Sequence, residues 1–291
     1  MEEKNRAAQV KSESYFASVW TEFRKNRAAV VGMAILSAII LAAIFADMLA
    51  PCDPYLQVYA EALQPPSAAH LFGTDEFGRD IFSRVLYGAR ISLLVGVVSV
   101  AIACVFGSLL GASAGYFGGA YDAVVMRCMD VLLAIPSLLL NLSIVAALGK
   151  SVFNMMLAVG VSNVPRYCRI MRASVLQIKN TEYVDAARVS GASHMFIILR
   201  HIIPNCLAPI IVQATLSVGS AIIACAGLSF LGVGIPAPIP EWGAMLSNGK
   251  DFLRHNAYIT IFPGLAIMLT VLSLNLMGDG LRDAFDPKLR R

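Results

Sequence analysis

Charge is what this sequence lacks. Of its 291 residues only 14% are Asp, Glu, Lys or Arg, against about 25% in an average soluble domain. Hydrophobic residues make up 57%, and mean hydropathy is +0.69. The deficit is concentrated in blocks: residues 28–46, 91–121, 131–149, 151–165, 201–240 and 255–278 hold no charged side chain. A membrane-crossing helix needs roughly 20 mostly apolar residues. Five of the blocks reach that length with their flanks, and 151–165 crosses only by borrowing from its neighbours. One soluble core cannot hide so many charge-free runs, so a soluble enzyme is excluded. No charge stands well inside a predicted span. A charge at mid-bilayer costs about 2.5–3.5 kcal/mol on insertion scales, and proteins that keep one use it for ion coupling. An ion-driven carrier therefore lacks its usual residue here, and transport by this chain would draw energy from elsewhere.

Other chemistry is missing too. Gly149-Lys150-Ser151 resembles the end of a phosphate-binding loop, but Ile144 stands where that loop needs its first glycine, so the cradle cannot form. The six cysteines (Cys52, Cys104, Cys128, Cys168, Cys206 and Cys225) have no metal-ligand spacing and read as small apolar filler. His70, His194, His201 and His255 are scattered. The sequence predicts no catalytic residue, no metal and no cofactor. A net charge of +4 without a clustered basic face predicts no nucleic-acid partner. Twenty-seven polar or mixed residues precede the first apolar run, which is longer than the roughly 7–15 residues of a signal core and reads as a retained anchor.

What is present is an all-α integral membrane protein with six predicted transmembrane helices. Residues 1–27 read as a cytoplasmic segment with an interfacial helix over 14–24, where Phe16, Val19, Trp20 and Phe23 recur at helical spacing. The first span occupies 28–50, and 51–88 an external segment in which Ile81, Phe82, Val85 and Leu86 form a short helix. Residues 89–291 make a five-helix core, with spans at about 89–115, 124–148, 152–164, 207–231 and 258–277. Pro136 predicts a kink in the third of the six, either structural or lining a pathway. With both termini cytoplasmic, 17 of the 23 basic residues fall inside and six outside: Arg79, Arg84, Arg90, Lys150, Lys250 and Arg254. That satisfies the preference of Lys and Arg for the cytoplasmic side.

Two patterns are candidate sites. Ser99, Ala103, Gly107, Gly111, Gly115 and Gly119 recur every four residues, a stripe that lets a second helix backbone approach closely. Packing within the chain and contact with another subunit are both open. The second pattern lies in the inner loop 166–205, which carries six basic residues. Thr181 is placed to cap a helix beginning at Glu182, with Asp185 in its first turn, and Gly191 to end it. Ser193 starts a second short helix that Pro204 stops. Small residues at Ala186, Ala187, Ser190 and Gly191 suit a bend that enters a partner's groove. A solvated amphipathic loop fits the same residues.

At this loop the sequence resembles the permease subunits of binding-protein-dependent ABC importers. Their signature reads here as Glu182, Asp185-Ala186-Ala187, Gly191 and Pro204, with Asp185 in place of the usual glutamate and His201 at a usually aliphatic position. Gly73-Thr74-Asp75, Gly78-Arg79-Asp80, Ser83-Arg84 and the tail Gly278-Asp279-Gly280-Leu281-Arg282-Asp283 through Asp286-Pro287-Lys288 narrow the match to the dipeptide/oligopeptide/nickel group. The N-terminus and Ala50-Pro51-Cys52-Asp53-Pro54 are similar to its C-type permease. The resemblance implies a type I importer permease fold in the bacterial inner membrane. It also implies a second permease, two ATPase subunits and an extracytoplasmic solute-binding protein as partners, with peptides as cargo or, alternatively, nickel, glutathione or a related solute. It places ATPase coupling on Glu182–Gly191. A secondary carrier would instead move solute alone on an ion gradient. A membrane enzyme would need Asp75, Glu76 and Asp80 as its site, a cluster that also reads as the capped start of an external helix.

Overall fold

The structure, a computed structural model, describes residues 15–285; the Asp286-Pro287-Lys288 motif and the first basic residues lie outside them. In chain order the helices are α1 (Tyr15–Lys25), α2 (Arg27–Ile44), α3 (Ala46–Leu49), α4 (Ile81–Phe117), α5 (Gly119–Ala134), α6 (Ser137–Leu148), α7 (Val152–Ile178), α8 (Glu182–Val189), α9 (His194–Ile197), α10 (Leu207–Phe230), α11 (Trp242–Gly249) and α12 (Tyr258–Phe285). Among the described residues no strand forms; a lone bridge joins Thr74 and Asp80. Four helical stretches are long and apolar enough to cross a membrane: α2, α4, His194–Phe230 and α12. The bent pair α5–α6 makes a fifth if counted as one span.

The core is built where α4, α7 and α10 meet, around Val95, Ala103, Met155, Val159, Tyr167, Met171 and Ala221. α4 runs for 37 residues, about 55 Å at 1.5 Å per residue. The Asp80 carboxylate caps it, accepting from the Ser83 N–H at 2.8 Å and the Ser83 hydroxyl at 2.7 Å. The separate external helix expected at Ile81–Leu86 is thus the first turn and a half of α4. α2 lies along α12, with Gly32 against the Ser273 carbonyl and the Leu276 side chain. α1 buries Val19 and Phe23 against Ala29 and Ala284, and the Asn26 amide donates to Asp283 at 3.3 Å. Both described ends of the chain therefore meet at one end of the bundle.

Prolines account for three departures from the sequence reading. The third span is a break rather than a kinked helix: α5 and α6 meet at 90°. Pro136 disfavours the helical region for the residue before it, and Ile135 is extended, at φ −87° and ψ 127°. The fourth helix, expected to end near Pro165, continues through it to Ile178. Residues 166–178 are therefore helix, not loop. Here the proline is buried and packing on α4 on both sides of it holds the axis. Pro204 does not stop the second short helix either. The chain widens into a π-helical turn over Ile198–Ile202, tightens into a 3-10 turn over Ile203–Cys206 and runs on as α10. Asn205 donates to the His201 carbonyl at 2.6 Å, supplying a bond where the ladder is irregular.

Candidate functional site

The elbow at Thr181–Pro204 lies at the α4 C-terminus, opposite the capped start of that helix. α8 buries Val184 and leaves Glu182, Tyr183, Asp185 and Ala186 exposed, with Ala187 half-buried against the core. Thr181 occupies the cap position, but its hydroxyl bonds back to the Ile178 carbonyl at 2.7 Å and not to the helix. Gly191 ends α8 at φ +79°. Its N–H donates to the Arg188 carbonyl at 3.0 Å, and the Ala192 N–H donates to Ala187 at 3.1 Å, a Schellman pair that needs a left-handed residue. The Ser193 hydroxyl accepts from the Phe196 N–H at 3.3 Å to start α9. Pro204 sits exposed beyond the π-helical turn.

Aromatic and charged contacts clamp this elbow to α4. The Tyr116 hydroxyl is 2.9 Å from His194 Nδ1. The Arg188 guanidinium lies 5.4 Å from the Tyr116 ring centroid and 2.8 Å from Asp185. Lys179 donates to the Gly115 carbonyl at 3.0 Å. Beyond the clamp, Val189 is 90% exposed, with Met195, Phe196 and Leu199 exposed beside it. The elbow thus presents exposed apolar side chains together with an acidic first turn.

Behind the elbow, the small-residue stripe faces α7. A Cβ on Gly107 would stand 2.6 Å from Tyr167 Cβ and 2.7 Å from the Val164 carbonyl, and one on Gly111 would collide with the Cys168 backbone. Gly115 faces Val175 at 3.0 Å. The stripe ends there, because Gly118 and Gly119 take φ +68° and +59° and break the helix before the expected sixth member.

A polar cleft of about 380 Å³ opens at the α5–α6 break, lined in part by Pro136, Ser137, Asn141, Asn163, Arg166 and Ser220. Asn141 is 2% exposed. α7 carries three arginines on neighbouring turns. Arg169 pairs with Asp130 and Arg172 with Asp122, each at 2.6 Å. Sequence reasoning missed Asn141 and Arg166. Polar residues beside Pro136 in a charge-free tract were the available signal.

At the far end, residues 51–80 and 232–257 fold into a cap. Asp75 bonds the Arg79 guanidinium at 2.6 Å and accepts from the Phe77 and Arg79 N–H groups. The buried Arg84 guanidinium donates to the Pro54 carbonyl at 2.9 Å. Burial pushes the Glu76 carboxyl above its usual range. Asp75, Glu76 and Asp80 thus serve as ion-pair partners and helix cap. The cap also brings Cys52, His70 and Asp80 together, with ligand atoms within 4.8 Å. His70 and Asp80 already bond each other at 3.0 Å, and burial, then Asp80 and Glu61, push the Cys52 thiol up. Glu241, also unanticipated, is 2% exposed; it caps α11 by accepting from the Gly243 and Ala244 N–H groups at 2.7 Å.

The family model described as the binding-protein-dependent transport system inner membrane component matches residues 107–291, most of the chain. The chain belongs to this family. It is a transport permease subunit and an integral inner membrane protein. A second model, the N-terminal TM domain of oligopeptide transport permease C, matches residues 14–66, so the subunit is a C-type permease. Among curated proteins it is 49% identical to the dipeptide transport system permease protein DppC of Escherichia coli (strain K12), over 94% of this chain and 93% of that one. It is 47% identical to the protein of the same name from Alkalihalophilus pseudofirmus, over 95% and 91%. The Probable D,D-dipeptide transport system permease protein DdpC of Escherichia coli (strain K12) is 48% identical over 89% and 87%. Among solved structures, a chain of the MetNI methionine ABC transporter in inward-facing conformations superposes with a TM-score of 0.57 at 18% identity, covering 70% of this chain and 97% of that one. That likeness concerns the fold.

Proposed function

We propose that the permease forms half of the translocation pathway of an ATP-driven importer for di- or oligopeptides. It has no catalytic step of its own. ATP is hydrolysed on two separate ATPase subunits, a second permease completes the pathway, and a solute-binding protein delivers cargo from outside. Six spans cross the bilayer: α2, α4, the α5–α6 pair, α7, α10 and α12. Both termini are cytoplasmic, on the side of the elbow. Supporting this arrangement, α1 packs on the end of α12, and basic residues are biased to that side. Residues 51–88 and the 232–257 turn face outward toward the binding protein, and the core 89–291 carries the cytoplasmic elbow at Thr181–Pro204.

The observation that carries the coupling role is the elbow's construction. A rigid glycine turn with an acidic, small-residue exposed face is bolted by Tyr116, His194 and Arg188 to the end of a helix that runs the length of the molecule. ATP-driven closure of the ATPases moves Glu182–Gly191, with Asp185, Ala186 and Ala187 in the partner's groove, and α4 carries that movement to the outer cap. This is coupling between distant sites through one two-state element. Peptide cargo rests on the names of the relatives at 47–49% identity.

Proteoliposomes test the reading. With both ATPases, the second permease and the binding protein, labelled dipeptide accumulates only when ATP is supplied, and crosslinks from Ala186→Cys reach an ATPase. Accumulation by this chain alone on an ion gradient would sink the proposal, as would crosslinks that never reach an ATPase.

A further inference from the structure

The α5–α6 break leaves a helix N-terminus at the rim of the cleft. α6 has 12 residues and, among the described residues, no side chain caps it. Its first N–H groups lack helical acceptors, and the helix dipole makes that end positive. Ser137, the first residue of α6, lines the 380 Å³ cleft, a volume within the roughly 300–1,000 Å³ of small-ligand sites.

Two further residues line the same space. Among the described residues, the buried Asn141 Oδ1 has no hydrogen-bond partner; a buried polar atom left so costs about 1–3 kcal/mol unless something fills the position. Asn141 is one turn into α6, on the cleft side. Arg166 reaches the cleft from α7. Its two sister arginines are neutralised by Asp130 and Asp122, whereas Arg166 has no carboxylate partner among the described residues. An uncapped helix N-terminus, an unpaired guanidinium and an unsatisfied amide around one cleft form a site for an anion that also carries amide groups. Discontinuous membrane helices present their N-termini to anionic substrate groups for the same electrostatic reason.

We infer that this cleft is a carboxylate station on the translocation path. The C-terminal carboxylate of a short peptide binds at the α6 N-terminus and Arg166, while Asn141 bonds its backbone amide. The inference rests on the peptide-import reading and adds to it the group by which this chain recognises cargo.

The test measures uptake of a labelled dipeptide and of its C-terminal amide by the complete reconstituted transporter. Arg166→Gln should lower the free-acid to amide uptake ratio about tenfold, the size of one charge-assisted contact. Arg166→Lys should restore most of it, and Asn141→Leu should reduce uptake of both peptides. An unchanged ratio in Arg166→Gln overturns the inference. So does loss of the second permease from the purified variant complex, which would make the cleft a subunit contact. If the wild-type complex moves no peptide but another solute, the cargo reading fails separately. The station then stands only if Arg166→Gln selectively weakens uptake of anionic members of that class, and otherwise falls.

Discussion

Single residues in this permease are constrained by how closely backbones approach. Gly111→Ala places a methyl group into the Cys168 backbone, so α4 and α7 must separate, at about 1–3 kcal/mol for overpacking. Gly227 is the contrast: its added Cβ meets only Leu138 Cδ1, at 4.0 Å. Gly227→Ala should stabilise α10 by up to about 1 kcal/mol through helix propensity. Melting curves of the detergent-solubilised variants should move in opposite directions; a shared direction would mean the stripe is not tightly packed. At the cap, Glu76 has a buried Oε2 without a partner among the described residues. Its carboxyl is raised above its unfolded value chiefly by burial. The folded state thus favours the protonated form, and the associated stability is present at low pH and lost as pH rises through the raised value. Glu76→Gln should therefore melt above wild type at about pH 8 and converge with it near pH 4, where both side chains are neutral. A gap that stays constant with pH would refute the burial argument.

At the scale of elements, the elbow was legible in the sequence and the helices around it were not. Its turn depends on local chemistry: Gly191 supplies φ +79° and Ser193 caps the next helix, both written in residue type. Proline effects are not local in this way. Pro136 breaks a span and Pro165 leaves one intact, and the difference lies in what packs against each. Pro165 is buried beside the α4–α7 crossing; Pro136 is exposed at the rim of a cleft. The glycine turn leads to a sharp expectation. Gly191→Pro cannot take a positive φ and loses the N–H bonded to Arg188. Transport should fall to background while membrane level and complex assembly are retained. Gly191→Ala, strained by about 1–2 kcal/mol, should give partial uptake. Normal uptake by the proline variant at normal abundance would remove the elbow from coupling.

For the whole molecule, the question that separates sequence from structure is α7. Read along the chain, Arg166, Arg169 and Arg172 mark the end of a short span, and by apolar length α7 does not qualify as a crossing helix. In three dimensions its 27 residues span about 40 Å, more than the roughly 30 Å hydrocarbon core. Two of its arginines meet carboxylates supplied by α5. The Arg172–Asp122 pair is partly buried and the Arg169–Asp130 pair exposed; a paired charge escapes part of the penalty of a lone charge in lipid. No composition window sees that pairing, because the partners are 39 and 50 residues apart. If α7 crosses, the lysines flanking it lie on opposite sides of the membrane. Lys150 precedes its start and Lys179 follows its end. A membrane-impermeant amine reagent applied to intact spheroplasts should modify Lys150 and the exposed Lys250, leaving Lys179 and the exposed Lys25 untouched until the membrane is opened. Peptide mass spectrometry reads all four positions in one digest. If Lys150 and Lys179 react from the same side, α7 does not cross, the elbow lies on the face opposite to the one coupling requires, and the six-span arrangement fails with it.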